Sequence, residues 1–587
     1  MRTVYIVRCD DRRRENYVGI TANFERRLAE HNAGLSAFKT IGKQNSLSDI
    51  SSPARAVPLP NDIFDTSNMK RSLVFGLLLV AADFLFAAGA SLDPRIFAGK
   101  AAGEPASFLV VMREQADLSG AEAFAEKAQK GRFVFEALRA QAEVSQGPLL
   151  ARLEAAGVPF RSFYLVNMIE VEGNRSLAEE LAARRDVSSV APNPQVRLEP
   201  GPPIEQETGV SPSFSRVTPA AAFTVEENIA RVGAPDVWAR GFTGQGIVVG
   251  MADTGVTWEH PALKSHYRGF DGTTGSHDYN WHDAIHNAGV GNRCGSDALA
   301  PCDDDTTAPF HGTSTASLVV GDDGLGNQIG MAPGARFIGC RNMDNGVGTP
   351  ARYTECFQFF LAPTDHNGQN ARPDLAAHVI NNSWGCPVSE GCTDPNVLKS
   401  VVENVGAAGI VVVVAAGNGG PACSTISDPP GFYEASFSVG ATSNSDAIAS
   451  FSSRGPITAD GSNRLKPDIS APGLGLRVAL APDSYNGGFS GTSGSAPHVS
   501  GAVALLWSAA PQLIGQVSAT IDLLKRTAVP LTSTLDCGGF SGSIVPNPVF
   551  GFGRLNVALA VNAAALPARP NAIRTPRRGG TRVIAPH

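Results

Sequence analysis

Charge is what this sequence has least of. Only 18% of its 587 residues are Asp, Glu, Lys or Arg, against 43% hydrophobic. That balance excludes a chain kept disordered by its own charge and leaves ample material for a large core. Positive charge has no surplus either, and a net formal charge of −7 argues against general nucleic-acid binding. Repeats with a period of roughly 20–50 residues are not visible, so a solenoid or propeller is not expected. What abounds is glycine (62) and proline (40), which suits a loop-rich enzyme better than a coiled coil or helical array. The length is too great for one ordinary domain and predicts about three or four units.

No CxxC spacing occurs among the nine cysteines and no HxxxH is counted with them, so the usual zinc pattern is not expected. Cys9 stands alone near the start, and the rest fall between Cys294 and Cys537. Cys294/Cys302, Cys340/Cys356 and Cys386/Cys392 are spaced for short disulfide loops, leaving Cys423 and Cys537 as a candidate long-range pair. Disulfides imply an oxidising destination.

Residues 1–40 hold two short runs, Val4 to Val7 and Asn16 to Ile20, that predict strands, then a helix from Phe24 to Asn32. With Tyr5, Tyr17, Gly19, Arg27 and His31 in place, this stretch resembles the front of a GIY-YIG nuclease domain. The resemblance implies a metal-binding glutamate further on. No helix carrying one follows, so a truncated segment is expected. Residues 41–68 are a Ser/Pro-rich linker. Met69-Lys70-Arg71 then precedes the apolar run Ser72 to Ala82, and Ala88-Gly89-Ala90 offers a small-residue cleavage site. Residues 69–90 thus have the layout of a secretory signal peptide. A membrane span usually takes about 20 apolar residues, and Asp83 interrupts this one, so no stable membrane anchor is expected. A signal peptide works from the N-terminus. Translation is therefore expected to start at Met69, with residues 1–68 outside the native product and the protein secreted, periplasmic or on the cell surface.

Residues 105–200 predict a compact β-α-β-α-β unit. Phe108 to Met112 is an apolar strand, and helix-forming residues run to about Ala156 with breaks expected at Gly131 and Gly147. Phe163 to Val171 reads as a strand, Leu177 to Arg185 as a helix and Val187 to Val190 as a last strand. The order implies a small α+β, ferredoxin-like sandwich. Residues 201–225, rich in Pro, Ser and Thr, read as a linker.

From residue 226 the pattern changes. Ile247 to Met251, Arg336 to Cys340, Ala377 to Asn381 and Ile410 to Ala415 are short β-branched runs, as strands buried on both faces would be. Amphipathic stretches such as Thr313 to Val320 and Val397 to Ala408 lie between them. The alternation predicts α/β architecture, a parallel sheet with helices on both faces, and a ligand at the carboxyl ends of the strands. Four motifs fall there. Asp253 follows the first strand within Asp253-Thr254-Gly255, His311 heads the small-residue helix His311-Gly312-Thr313, and Asn418 ends Ala415-Ala416-Gly417-Asn418. Ser493 sits in Asn486 to Gly501, a glycine-rich loop running into a helix whose N-terminal N–H groups favour negative charge.

Asp, His, Asn and Ser in that order, at these spacings, resemble a subtilisin-like (S8) serine protease over residues 226–563. Tyr267-Arg268-Gly269, Cys340-Arg341-Asn342-Met343 and Asn381-Asn382-Ser383-Trp384-Gly385-Cys386 resemble the bacillopeptidase F-type branch. The resemblance implies a secreted, autoprocessed serine endopeptidase. His311 would be the base, Asp253 its orienting partner, Ser493 the nucleophile and Asn418 an oxyanion donor, with Ser383, Trp384 and Gly385 along the substrate. Residues 105–200 would then be an inhibitory prodomain and 201–225 the linker that is cut. Partners would be protein or peptide substrates and the prodomain itself; no nucleic acid is expected. No cofactor is required. Calcium, which many relatives use, is the alternative to a solvated acidic loop at Asp303-Asp304-Asp305, and the solvated loop is the expectation. The family usually has methionine after the nucleophile, whereas this chain has Gly494, which predicts better resistance to peroxide than a Gly494→Met variant. Residues 564–587, with five arginines and no acids, read as a disordered basic tail.

Overall fold

The computed structural model describes residues 91–198, 224–304 and 310–565, together with two short strands near the start. Those strands, Thr3–Arg8 and Asn16–Thr21, pair antiparallel where strands were expected. The Phe24–Asn32 helix, the 41–68 linker, the signal peptide at 69–90, and most of the 201–225 linker and basic tail lie outside the described residues. Among the described residues, no helix is long and apolar enough to cross a membrane.

The α/β architecture is present as a 7-stranded sheet in which every pairing is parallel. Its spatial order is Trp281–Asp283, Arg336–Arg341, Val248–Asp253, Val379–Asn382, Val411–Ala415, Phe437–Thr442 and Ile469–Pro472. Strand alternation sends Val411 and Val413 to one face and Val412 and Val414 to the other. The first face packs on residues of helices His311–Val320 and Thr492–Ala509, the second on those of Pro350–Leu361 and Lys399–Ala407. Such burial on both sides explains the unbroken Val411–Val414 run. The strands Phe437–Thr442 and Ile469–Pro472 escape a search for apolar runs because Ser, Gly and Pro interrupt them, yet every residue in them is buried.

Helix Thr492–Ala509 runs through the middle of this core, buried from Thr492 to Trp507. Its small residues allow close approach: a Cβ on Gly501 would lie 2.3 Å from the Met331 Cβ. All four expected disulfides form, Cys294–Cys302, Cys340–Cys356, Cys386–Cys392 and Cys423–Cys537.

Residues 91–198 build a 5-stranded sheet in the order Ser91–Leu92, Val187–Pro192, Ala106–Met112, Met168–Gly173 and Phe160–Phe163. Two expectations need correction here. The stretch expected as one strand, Phe163 to Val171, is a hairpin, Phe160–Phe163 and Met168–Gly173, turned at Asn167 with φ 44°. The helix expected to break at Gly131 and Gly147 runs unbroken from Lys127 to Ala155, even through Pro148. Each interior glycine costs about 1 kcal/mol. Burial outweighs it, because Val134 and Leu138 pack with residues of the parallel-sheet unit while Leu149 and Leu153 pack on the 5-stranded sheet.

Candidate active site

Three neighbouring strands deliver their carboxyl ends to one place. Asp253 is the last residue of its strand, Ser383 follows Val379–Asn382, and Asn418 lies three residues past Ala415. Helices His311–Val320 and Thr492–Ala509 begin there, each with its candidate residue in the first turn.

Nδ1 of His311 lies 2.7 Å from Oδ1 of Asp253. Both are buried, His311 to 4% exposure and Asp253 to 1%. The Asp253 carboxylate is fixed by two more donors, the Thr254 N–H (2.8 Å) and the Thr315 hydroxyl (3.2 Å). The His311 ring leans on Phe489 at 5.6 Å between centroids. Ser493 donates from Oγ to the Ser383 carbonyl at 3.1 Å, and the Ser383 hydroxyl donates back to the Ser493 carbonyl at 3.0 Å. Asn418 accepts through Oδ1 from the Thr492 N–H and hydroxyl, both at 2.9 Å, which fixes its amide and leaves Nδ2 free to donate. Gly491, the residue before this helix, has φ 149°, a conformation that favours glycine. Trp384 stacks on Tyr353 at 3.8 Å and donates from its indole to the Ala252 carbonyl at 3.0 Å, which anchors Ser383 to Gly385.

One cavity is lined by Ser383, Gly385, Asn418, Asp428 and Ser493. Leu198, the last described residue of the 5-stranded unit, lines it as well. Val196–Arg197 pairs antiparallel with Val347–Gly348, and the Leu198 N–H donates to the Gly346 carbonyl at 2.7 Å. The end of one unit therefore lies as an added strand in the cleft of the other.

The acidic run is not a solvated loop, which corrects the expectation made for it. Asp303 and Asp304 are 1% and 0% exposed; Asp305 lies outside the described residues. Asp303 accepts from the Thr254 hydroxyl (2.9 Å), the Thr313 N–H (2.8 Å) and the Thr313 hydroxyl (2.6 Å). It thereby ties the residue after Asp253 to the residue two beyond His311. Burial pushes its carboxyl above the ordinary range, against the pull of those hydrogen bonds. Asp304 and Asp283 flank the buried Arg341 guanidinium at 3.0 and 2.6 Å. These acids are engaged by threonines and an arginine, and no metal-holding group of three or more His, Cys, Asp or Glu is present among the described residues.

Two further features were missed. His498 donates through Nδ1 to the Gly494 carbonyl and accepts through Nε2 from Asn228, both at 2.8 Å. Burial pushes it down to about 4, so it is neutral in this role. An HxxxH spacing is in fact present, His282 to His286, which corrects the expectation that none accompanies the cysteines. Both rings meet Glu355 Oε1, at 2.8 and 2.9 Å, and Arg161 from the 5-stranded unit meets Oε2 at 2.7 Å. At Gly494 the space is already filled, since a Cβ there would lie 2.5 Å from Leu476 Cδ1.

Residues 244–553 match the subtilase family, Peptidase S8, and residues 1–51 match the GIY-YIG catalytic domain. Bacillopeptidase F of Bacillus subtilis (strain 168) is 34% identical over 450 residues, covering 74% of this chain and 29% of that protein. Subtilisin E of the same strain is 29% identical over 324 residues, 54% of this chain and 69% of the relative. Serine protease AprX, also of that strain, is 33% identical over 256 residues, 41% of this chain and 50% of the relative. The chain thus spans less than a third of the length of Bacillopeptidase F and half that of AprX.

Proposed function

The chain belongs to the subtilase family, and from that premise we propose that it is a secreted serine endopeptidase made as a self-processing precursor. A serine hydroxyl is a weak nucleophile at neutral pH and needs a base beside it. His311 takes the Ser493 proton as Oγ attacks the peptide carbonyl, and later returns it to the leaving amine. Asp253, bonded to Nδ1, holds the imidazole in the tautomer that leaves Nε2 as the base and stabilises the imidazolium. Nδ2 of Asn418 and the Ser493 N–H donate to the oxyanion of the tetrahedral intermediate. The observation that carries this reading is the buried 2.7 Å contact between His311 and Asp253 beside the cavity that Ser493 and Asn418 line.

Residues 91–198 act as the inhibitory prodomain in this reading, supported by the Val196–Leu198 segment in the cleft. Structural calcium is not assigned to the acidic run, whose described acids are already engaged. The test is fluorophosphonate labelling of the matured protein. Labelling is expected in the wild type and absent in Ser493→Ala, with kcat lowered about 10⁶-fold. A correctly processed wild type that does not label would refute the reading. The match of residues 1–51 favours a second reading for that segment alone, a GIY-YIG-type nuclease fragment beside a binding-only subtilase domain. Metal-dependent DNA cleavage by residues 1–68 would support it.

A further inference from the structure

The cavity beside Ser493 has an acid in its wall that the proposed chemistry does not use. Asp428 follows Ser427 and precedes Pro429-Pro430, on the loop beyond the Asn418 turn. Its Oδ1 accepts from the Ser427 hydroxyl at 2.9 Å. Its Oδ2 stands against the substrate-side segment, because a Cβ on Gly385 would lie 3.5 Å from that oxygen. Among the described residues Asp428 has no ion-pair partner.

The surroundings are also acidic. Burial pushes the Asp428 carboxyl above its ordinary range against the pull of the Ser427 hydrogen bond, with a smaller push from the nearby Glu390 carboxylate. Glu390 itself accepts the Arg197 N–H at 2.7 Å at the edge of the cleft. Ala415, Ala416 and Gly417 line another side of the cavity, with Trp384 and Pro387 also in its wall, and offer the methylenes of a long side chain an apolar surface. Among the described residues the one cation lining the cavity is Arg197, which belongs to the segment a substrate would replace.

The path of that segment fixes which side of the scissile bond the cavity receives. Val196 to Leu198 run along Gly346 to Gly348 and reach the cavity at their carboxyl-directed end. A peptide seated the same way places there the residue that precedes the bond to be cut.

We propose that Asp428 makes this site selective for a cationic side chain, Arg or Lys, immediately before the cleaved bond. The inference rests on the serine-peptidase reading above. A guanidinium or ammonium entering the cavity pairs with Oδ2, the carboxylate oxygen that the Ser427 hydroxyl does not serve, and compensates the half-buried carboxylate for the water it displaces. An aromatic or aliphatic side chain covers that carboxylate without pairing it, which costs desolvation. Arginine adds a forked donor that can serve both Asp428 oxygens.

The experiment uses the full chain, allowed to mature, with peptide substrates that differ only in the residue before the scissile bond: Arg, Lys, Phe, Leu or Glu. Rates are normalised to active sites titrated with a fluorophosphonate. The expected result is a kcat/KM for Arg about 10- to 100-fold above Phe, the span of one charged hydrogen-bonded contact. In Asp428→Asn the Arg-to-Phe ratio is expected to fall by about the same factor. Asp428→Ser, smaller and also uncharged, gives a second measurement of that ratio should the asparagine variant fail to mature. A titratable wild type that cleaves Phe or Leu as well as Arg, or an unchanged ratio in both variants, would overturn the selectivity and leave the peptidase reading standing. A wild type with no titratable serine removes both.

Discussion

In the parallel sheet both faces are covered by helices of the same unit, whereas the 5-stranded sheet of residues 91–198 is finished by its neighbour. Phe108, Val110, Met112, Ile169 and Val171 pack with Leu149, Leu153 and Leu181 of their own unit. Leu109, Phe163, Leu165 and Met168 instead join a core with Tyr353, Phe357, Phe360 and Val405. The charged clusters differ in the same sense. Arg341, with Asp283 and Asp304, lies wholly inside the larger unit at zero exposure. Arg161, with Glu355, His282 and His286, bridges the two units and remains partly open to water. One unit covers its own sheet, and the other leaves part of its core to be covered by its neighbour. That contrast is what the proposed inhibitory role of residues 91–198 rests on.

The largest expected effect breaks the comparison directly. Separating residues 91–198 exposes Leu109, Phe163, Leu165 and Met168 together, which costs about 6–12 kcal/mol at roughly 1.5–3 kcal/mol per side chain. Domains of this size are stable by about 5–15 kcal/mol. The isolated segment is therefore expected to lose cooperative thermal unfolding and near-UV circular dichroism, while a matured 224–565 portion keeps both. A cooperatively folded isolated segment would show that its own core suffices.

A smaller effect is expected inside the self-sufficient unit. Asp303→Asn replaces a carboxylate that accepts three hydrogen bonds with an amide that turns a donor toward donors. A loss of about 2–4 kcal/mol of unfolding free energy is expected, read from urea denaturation of the intact Ser493→Ala protein. A change below 1 kcal/mol (roughly the effect of one neutral hydrogen bond) would mean that Asp303 is incidental to the tie between Thr254 and Thr313.

The two units were also unequally legible in sequence. Asp253, His311, Asn418 and Ser493 could be read as neighbours because strand ends and helix starts mark where they sit, and the acyl transfer proposed for them calls for those side chains. The cysteine pairs were legible because short spacings leave few partners. Asp303 was misread because its hydrogen-bond partners, Thr254 and Thr313, lie 49 and 10 residues away in the chain, beyond its acidic neighbours. The helix through Gly131, Gly147 and Pro148 was misread for a similar reason. Its breakers argue locally for an end, and the decisive contacts lie on two different sheets. Asp428 carried no local signal at all, being one acid before two prolines. Only the fold brings it beside Gly385.

The smallest expected effect tests the boundary cluster and carries a pH sign. Burial disfavours charge on His286, but the hydrogen bond and negative charge of Glu355, with Asp297 at 2.5 Å, outweigh it and raise its pKa. A raised histidine contributes its full stabilisation below its unfolded value of about 6.5 and loses it as pH rises through the folded value. Glu355 is shifted the other way: despite burial, its bonds to His282 and His286 and the charge of Arg161 hold it well below the carboxylate range. It therefore stays ionised throughout, and as His286 loses its proton Glu355 depends more on Arg161. In the intact Ser493→Ala protein, Arg161→Met should weaken the seat of the smaller unit more at pH 8.5 than at pH 5.5. The amides of Tyr164 and Leu165 report it, since both donate to Gln358 Oε1 across the boundary, at 2.9 and 3.2 Å. Their hydrogen-exchange protection, taken as a ratio to the parent protein at each pH, is expected to fall about 10-fold at the higher pH and about 3-fold or less at the lower. Equal losses at both values would make the cluster a fixed contact like the one around Arg341, and the release of the smaller unit would then owe nothing to these histidines.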